Sequence, residues 1–129
     1  MTMADVISTN PPTMAAPGGH YSHAVTAGGF VFVSGQLPIA PDGTKLNDAP
    51  FEKQAQQVLD NVAAAIVGAG SSLDRLTQVR VYVTDIGDWP AFNALYAKWT
   101  GGARPARCVV PVPSLHYGFK IEVEAVAVK

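Results

Sequence analysis

The chain reads as an α+β fold, a mixed β-sheet carrying two helices on one face. Three observations predict it. Two segments, near residues 51–69 and 89–99, repeat their apolar residues at helical spacing, while the segments around them follow the strand period of two. The order is β-β-α-β-α-β-β, with each helix leading into a strand, and such an order packs as helices layered on a sheet. Finally, 129 residues suffice for one core and not for two, so 1–129 is taken as a single domain.

Residues 1–20 hold Pro11, Pro12, Pro17 and Gly18-Gly19 and are expected to form an irregular arm. Tyr21 to Thr26 and Phe30 to Ser34 flank Ala27-Gly28-Gly29, where glycine can take the positive φ of a tight turn, so a hairpin is predicted. Pro38, Pro41, Asp42-Gly43 and Pro50 then give turn chemistry that leaves room for at most a short strand. From Phe51 onward, Phe51, Ala55, Val58, Leu59, Val62, Ile66 and Ala69 share one helical face, and the helix should stop near Gly68 to Gly70. Next, Thr77, Val79, Val81 and Val83 alternate with Leu76, Gln78, Arg80 and Tyr82, a strand whose valines point at the core.

A second helix is predicted from Asp88 as N-cap, through Pro90 in the first turn, to Gly101-Gly102. Its aromatic stripe, Trp89, Phe92, Tyr96 and Trp99, is read as core packing and not as a base-stacking platform. The last strands, Ala106 to Val112 and Phe119 to Val128, are separated by Pro113 to Gly118. Ala125-Val126-Ala127-Val128 is apolar on both sides, so one side should meet the helices and the other a second subunit.

Composition narrows function by exclusion. A formal charge of −1 without a basic stripe argues against a nucleic-acid partner and for a small molecule. The single cysteine, Cys108, cannot form an internal disulfide, which fits a reducing, cytoplasmic setting. No stretch reaches the roughly 18 apolar residues of a membrane span, and no basic, then apolar leader opens the chain. His20 and His23 have no acidic partner at metal spacing, so no metal is expected and the two are read as solvated or ligand-facing. No P-loop or dinucleotide fingerprint occurs, and Ser34-Gly35-Gln36 lacks a nucleophile elbow. Cys108, in a valine run, is read as a small buried thiol.

What remains is charge placed inside apolar strands. Arg107 heads one and Glu122 sits early in the next; each must face solvent or find a partner, because an unpaired buried charge is costly. They are either a site or two ordinary surface charges on strands.

The ordered set Gly19-His20-Tyr21-Ser22-His23-Ala24-Val25, Val33-Ser34-Gly35-Gln36-Leu37-Pro38, Asn61-Val62, Phe92-Asn93-Ala94-Leu95-Tyr96, Pro105-Ala106-Arg107 and Lys120 to Ala127 resembles the RidA (YjgF-type) reactive-intermediate deaminases over nearly the whole chain. The resemblance implies a chorismate-mutase-like α+β fold and a homotrimer whose sheets line a central barrel. It implies sites in clefts between subunits, and hydrolysis of enamines or imines of the 2-aminoacrylate and 2-iminopropanoate type to 2-keto acids and ammonia, without metal or organic cofactor. Carried over by position, Arg107 would hold the substrate carboxylate and Glu122 the hydrolytic water; Tyr21, Ser34, Gly35 and Asn93 would contact the ligand. Two other readings stay open: a larger substrate of the 2-aminomuconate type, and a non-catalytic, chaperone-like trimer that binds small carboxylates.

Three features depart from the family. Many members carry a cysteine two places after the arginine, where this chain has Val109; Cys108, one place earlier, should face the opposite side of the strand. His20 and His23 stand around the tyrosine in place of the common proline and glutamine. The segment Pro113-Ser114-Leu115-His116-Tyr117-Gly118-Phe119 differs as well and could reshape substrate choice.

Overall fold

Gly28 and Gly29 have φ of 59° and 84°, the left-handed values that the predicted hairpin requires. They join β2 (Ala24–Ala27) to β3 (Phe30–Gln36), antiparallel, with Ala24 opposite Val33. The computed structural model describes residues 5–129, so the first four residues of the expected arm lie outside the described part. The rest of the arm is not wholly irregular. Ile7–Thr9 forms β1, pairing antiparallel with β2 so that Ile7 meets Thr26. Three residues before a double proline are too few for the strand period to register in a sequence.

Between β3 and the first helix the chain makes only one isolated bridge, Ile39 to Lys45. Helix α1 (Phe51–Gly68) buries Phe51, Ala55, Val58, Leu59, Val62 and Ile66, the expected face, and Gly70, at φ 88°, follows its end. Strand β4 (Leu76–Val83) buries Val79, Val81 and Val83 as its alternation predicts. Leu76 is also buried although Thr77 carries the matching parity. A register irregularity between Leu76 and Gln78 explains the exchange.

Helix α2 (Trp89–Thr100) starts after Asp88, yet Asp88 makes no side-chain cap; Asp85 instead accepts the Gly87 N–H at 2.8 Å, capping the short 3₁₀ turn before the helix. β5 (Ala106–Pro111) and β6 (Ile121–Val128) complete a six-stranded sheet ordered β1-β2-β3-β6-β4-β5. All pairings are antiparallel except β4 with β5, which makes the sheet mixed, as expected.

One apolar core joins α1, Phe92 and Tyr96 of α2, and the inward row Val31, Val33, Val79, Val81, Val83, Ile121, Val123, Ala125 and Ala127. Both helices therefore lie on one sheet face. The opposite face has no covering layer among the described residues. Phe30 (42 %), Phe32 (47 %) and Val128 are exposed together at one end of it, Phe30 opposite Val128, while Val110 is exposed beside Tyr82 farther across the sheet. An apolar cluster left bare is the mark of an interaction face. No helix among the described residues is long and apolar enough to cross a membrane.

Candidate functional site

Two buried amides of α1 shape the surroundings of Glu122. Asn61 Nδ2 donates to the carbonyls of Leu37 (3.1 Å) and Ile39 (3.0 Å), fixing the irregular segment that leaves β3. Gln54 Nε2 donates to the carbonyls of Asn47 and Ala49, and its Oε1 accepts the N–H of Lys120 at 2.9 Å, two residues before Glu122. Buried amides so satisfied are rigid positioning devices.

The strand opposite Glu122 contains a β-bulge. Val33 pairs with Ala125 but Gln36 with Val123, so Ser34 and Gly35 together span one residue of β6. Both Val33 and Gln36 point inward as a result. Ser34 Oγ donates to the Ser22 carbonyl at 2.6 Å and its N–H to the His23 carbonyl at 2.9 Å. Gly35 lies directly under the Glu122 carboxylate: a Cβ there would collide with Oε2 and stand 3.1 Å from Cδ. Only glycine admits the carboxylate at this place.

Tyr21, Ser34, Gly35 and Glu122 line one open cleft of about 430 Å³, with Gly18, Gly19, Leu37, Ile39, His116 and Tyr117. Glu122 has no hydrogen bond or ion pair among the described residues. Burial pushes its carboxyl above the ordinary value of 4.5, against a smaller pull from His116 and with a smaller push from Glu124. Glu124, on the same sheet face, is committed elsewhere: it accepts the Tyr82 hydroxyl at 2.5 Å and lies 3.9 Å from Arg80 Nη1.

Arg107 sits at the other side of the sheet. It pairs in register with Val79, whose side chain is in the core, and its guanidinium emerges at the sheet edge beside α2. There Nη1 donates to Asn93 Oδ1 at 3.0 Å, and Cζ stands 4.8 Å above the Tyr96 ring. Asn93 and Tyr96 are three apart on α2 and so present one face to the arginine. Burial raises the Tyr96 phenol above its usual range, partly offset by Arg107. The groove also takes in Arg104, Pro105 and Thr100, and no acidic side chain lines it.

The sequence-based site residues thus fall into two groups. Tyr21, Ser34, Gly35 and Glu122 share one cleft, Asn93 and Arg107 share another, and a single chain does not bring the groups together. Glu122 pairs with Tyr82 on β4 and Arg107 with Val79, on opposite faces; two strand spacings and three residues of offset put their Cα atoms roughly 14 Å apart.

Several expectations need correcting. His23 is neither solvated nor ligand-facing: it is buried, with its Nε2 2.7 Å from the Ala15 carbonyl and its Nδ1 3.2 Å from Gln36 Nε2. Since Gln36 can only donate there, Nδ1 accepts and Nε2 carries the proton. Its backbone N–H donates to Asn10 Oδ1, so His23 fastens the arm to the sheet. Cys108 is exposed, not buried. It pairs with Arg80 on the open face, while Val109 packs against the core, so the two do face opposite sides as the strand period requires. Of the aromatic stripe, Phe92 and Tyr96 are buried and Trp99 packs against the core, but Trp89, at the start of α2, is 40 % exposed. Tyr96 serves core and guanidinium at once, a role its helical spacing from Asn93 carried but hydrophobic periodicity masked.

Comparison with known proteins supplies the context. The family model described as Endoribonuclease L-PSP matches residues 12–129. A RutC family protein of Pyrococcus horikoshii is 40 % identical over 128 residues, covering 98 % of this chain and 99 % of its own. Among solved structures, the Rid family protein YyfA of Yersinia pestis superposes with a TM-score of 0.92 at 31 % identity, covering 97 % of this chain and 100 % of its own. TdcF of Escherichia coli, solved with bound serine, superposes at 0.88 with 31 % identity, covering 95 % of this chain and 98 % of its own.

Proposed function

Because the chain belongs to the RidA/YjgF family, to which the Endoribonuclease L-PSP model corresponds, we propose that it hydrolyses enamines or imines of short 2-keto acids to the keto acid and ammonia. The observation that carries this reading is the pairing of an unpartnered, half-buried carboxylate at Glu122 with an oriented guanidinium at Arg107, in two clefts that complete one another only between copies. The copies are arranged as a homotrimer, with the exposed sheet face that carries Phe30, Phe32 and Val128 turned toward the shared axis.

In this reading Arg107 of one subunit grips the substrate carboxylate through two parallel N–H donors, oriented by Asn93 and Tyr96. Glu122 of its neighbour takes a proton from water as the water oxygen adds to the imine carbon, and returns it to nitrogen. The new hydroxyl then passes its proton through Glu122 to the amine nitrogen, the C–N bond breaks, ammonia leaves, and the water oxygen becomes the keto oxygen. A carboxyl with raised affinity for the proton suits both transfers. Imines already hydrolyse readily in water, so a sparse site suffices. The carboxylate of the serine bound to TdcF is the same class of group that Arg107 would hold. A reducing compartment such as the cytoplasm fits the exposed thiol of Cys108.

Keto-acid release from enzymatically generated 2-aminoacrylate tests the proposal. Arg107→Ala and Glu122→Gln should each be nearly inactive, and equal mixing of the two after dissociation and reassembly should restore about a quarter of wild-type activity, because a head-to-tail ring then contains sites with both native halves. No recovery, or full activity in either variant, would sink the shared site. Binding of keto acids without turnover of any imine would favour the non-catalytic reading. RNA cleavage by the pure oligomer, lost in Arg107→Ala, would favour the activity in the family's description over this one.

A further inference from the structure

The cleft that holds Glu122 has a volume of about 430 Å³ in the single chain, before a neighbouring copy adds its half. Leu37 and Ile39 make part of its lining apolar, and two tyrosines, Tyr21 and Tyr117, border it.

Tyr117 is held in a conformation that a side chain of its size avoids. Its φ is 58°, the one positive value at a non-glycine position among the described residues, and Gly118 follows at 73°. Packing within its own subunit is not the reason for it, because the ring is 59 % exposed in the single chain. The backbone around it is nevertheless fixed: the Phe119 N–H donates to the His116 carbonyl at 3.0 Å and the Gly118 N–H to the Leu115 carbonyl at 3.3 Å. The ring is fixed too. It meets the buried Phe119 edge-on at a centroid distance of 5.7 Å, and Lys45 Nζ stands 4.9 Å over its face. Strain kept at an exposed aromatic on the rim of a functional cleft points from structure to function.

We propose that Tyr117 is a specificity residue of this same site, a fixed aromatic wall that favours 2-imino and 2-keto acids bearing a flat, unsaturated or aromatic side chain over their three-carbon counterparts. The inference rests on the proposed carboxylate site and adds the class of side chain that it takes. The carboxylate end would be held by Arg107, the reacting carbon would face Glu122, and the side chain would lie along the apolar lining against the Tyr117 ring. A ring offset on another ring gains free energy beyond the area it buries.

Calorimetric binding of phenylpyruvate and of pyruvate to the intact oligomer tests this, alongside turnover of the corresponding imines. The wild type should prefer phenylpyruvate. Tyr117→Phe should keep that preference, whereas Tyr117→Gly should lower it about fivefold, weakening phenylpyruvate more than pyruvate. The glycine variant should melt no lower than the wild type, since the strain leaves with the ring. Tyr117→Asn, which also tolerates positive φ, replaces it should the glycine protein aggregate. Equal binding of the two keto acids, binding of neither, or a preference that survives loss of the ring would overturn the inference, even in an active deaminase. A Tyr117-dependent preference without any imine turnover would uphold it and remove the deaminase reading alone.

Discussion

Gly35→Ala isolates the geometry on which the proposed chemistry depends. The added Cβ would overlap Glu122 Oε2, a contact closer than real Cβ atoms make, and would sit 3.1 Å from Cδ. To reach ordinary carbon–oxygen separation the carboxylate must retreat by about 1 Å. Gly35 has no positive φ, so alanine brings no backbone strain, and the group that must move is the far end of a side chain bordering an open cleft. Stability should therefore change by less than about 1 kcal/mol. Activity should not escape so lightly, since a displacement of about 1 Å at a reacting group can cost on the order of 100-fold. The assay is kcat/KM for keto-acid release in wild type, Gly35→Ala, Glu122→Gln and the double variant. If the methyl acts by moving the carboxylate, adding Gly35→Ala to Glu122→Gln should cost almost nothing more. A single variant within threefold of wild type, or fully additive losses in the double variant, would refute the reasoning.

Three further outcomes follow from the same contacts. Asn93→Ala leaves Arg107 without its 3.0 Å acceptor; a hydrogen bond to a charged group is worth about 1.5 kcal/mol at the low end suited to a partly exposed arginine, so KM should rise about tenfold with kcat changed less. Glu122→Gln should melt higher than wild type at pH 7. The folded state holds the Glu122 proton more tightly than the unfolded chain, so that contribution is complete below the ordinary value of 4.5 and is lost as pH rises through the elevated folded value; the advantage of glutamine should shrink as melting is repeated at falling pH down to that ordinary value. Phe32→Glu places a charge on the uncovered sheet face, and sedimentation should show a smaller species than the wild type if that face joins subunits.

The sequence exposed those parts of the fold whose periodicity is local. α1 was legible because its apolar residues repeat over five turns and glycines follow its end. The hairpin was legible because its turn needs positive φ at two adjacent residues. β1 was not, being three residues long and recognised only through its pairing with β2. The bulge at Ser34-Gly35 was not either, since Val33 and Gln36 share the interior only through their partners on β6. The strand period places Arg107 with Val109, and Glu122 with Glu124 and Val126. On β6 the two glutamates mark the outward row, but on β5 the period does not say that the Arg107 row faces the helices, because Ala106, Cys108 and Val110 make the alternate row just as apolar. That choice belongs to the layer order, and it is what divides the candidate site between two faces. His116 and Tyr117 entered the cleft through a loop with no period at all.

Two glutamates on one face, Glu122 and Glu124, compete for the same proposed role, and Tyr82 decides between them. Its hydroxyl bonds Glu124 at 2.5 Å, and this bond, with burial and the carboxylate's charge, pushes the phenol up to about 12. Tyr82 therefore stays protonated at any working pH and keeps donating, while Arg80 holds the other carboxylate oxygen. Glu124 thus already has a partner at each carboxylate oxygen. Glu122 has the opposite surroundings: no donor, a half-buried position, and a glycine beneath it. Identical side chains two residues apart thus acquire different surroundings, and of the two only Glu122 has no partner among the described residues. Tyr82→Phe removes that donor from Glu124 and should leave the acid limb of the pH–rate profile, which Glu122 would set, where it was. A shift of that limb would assign the proton transfer to Glu124 instead.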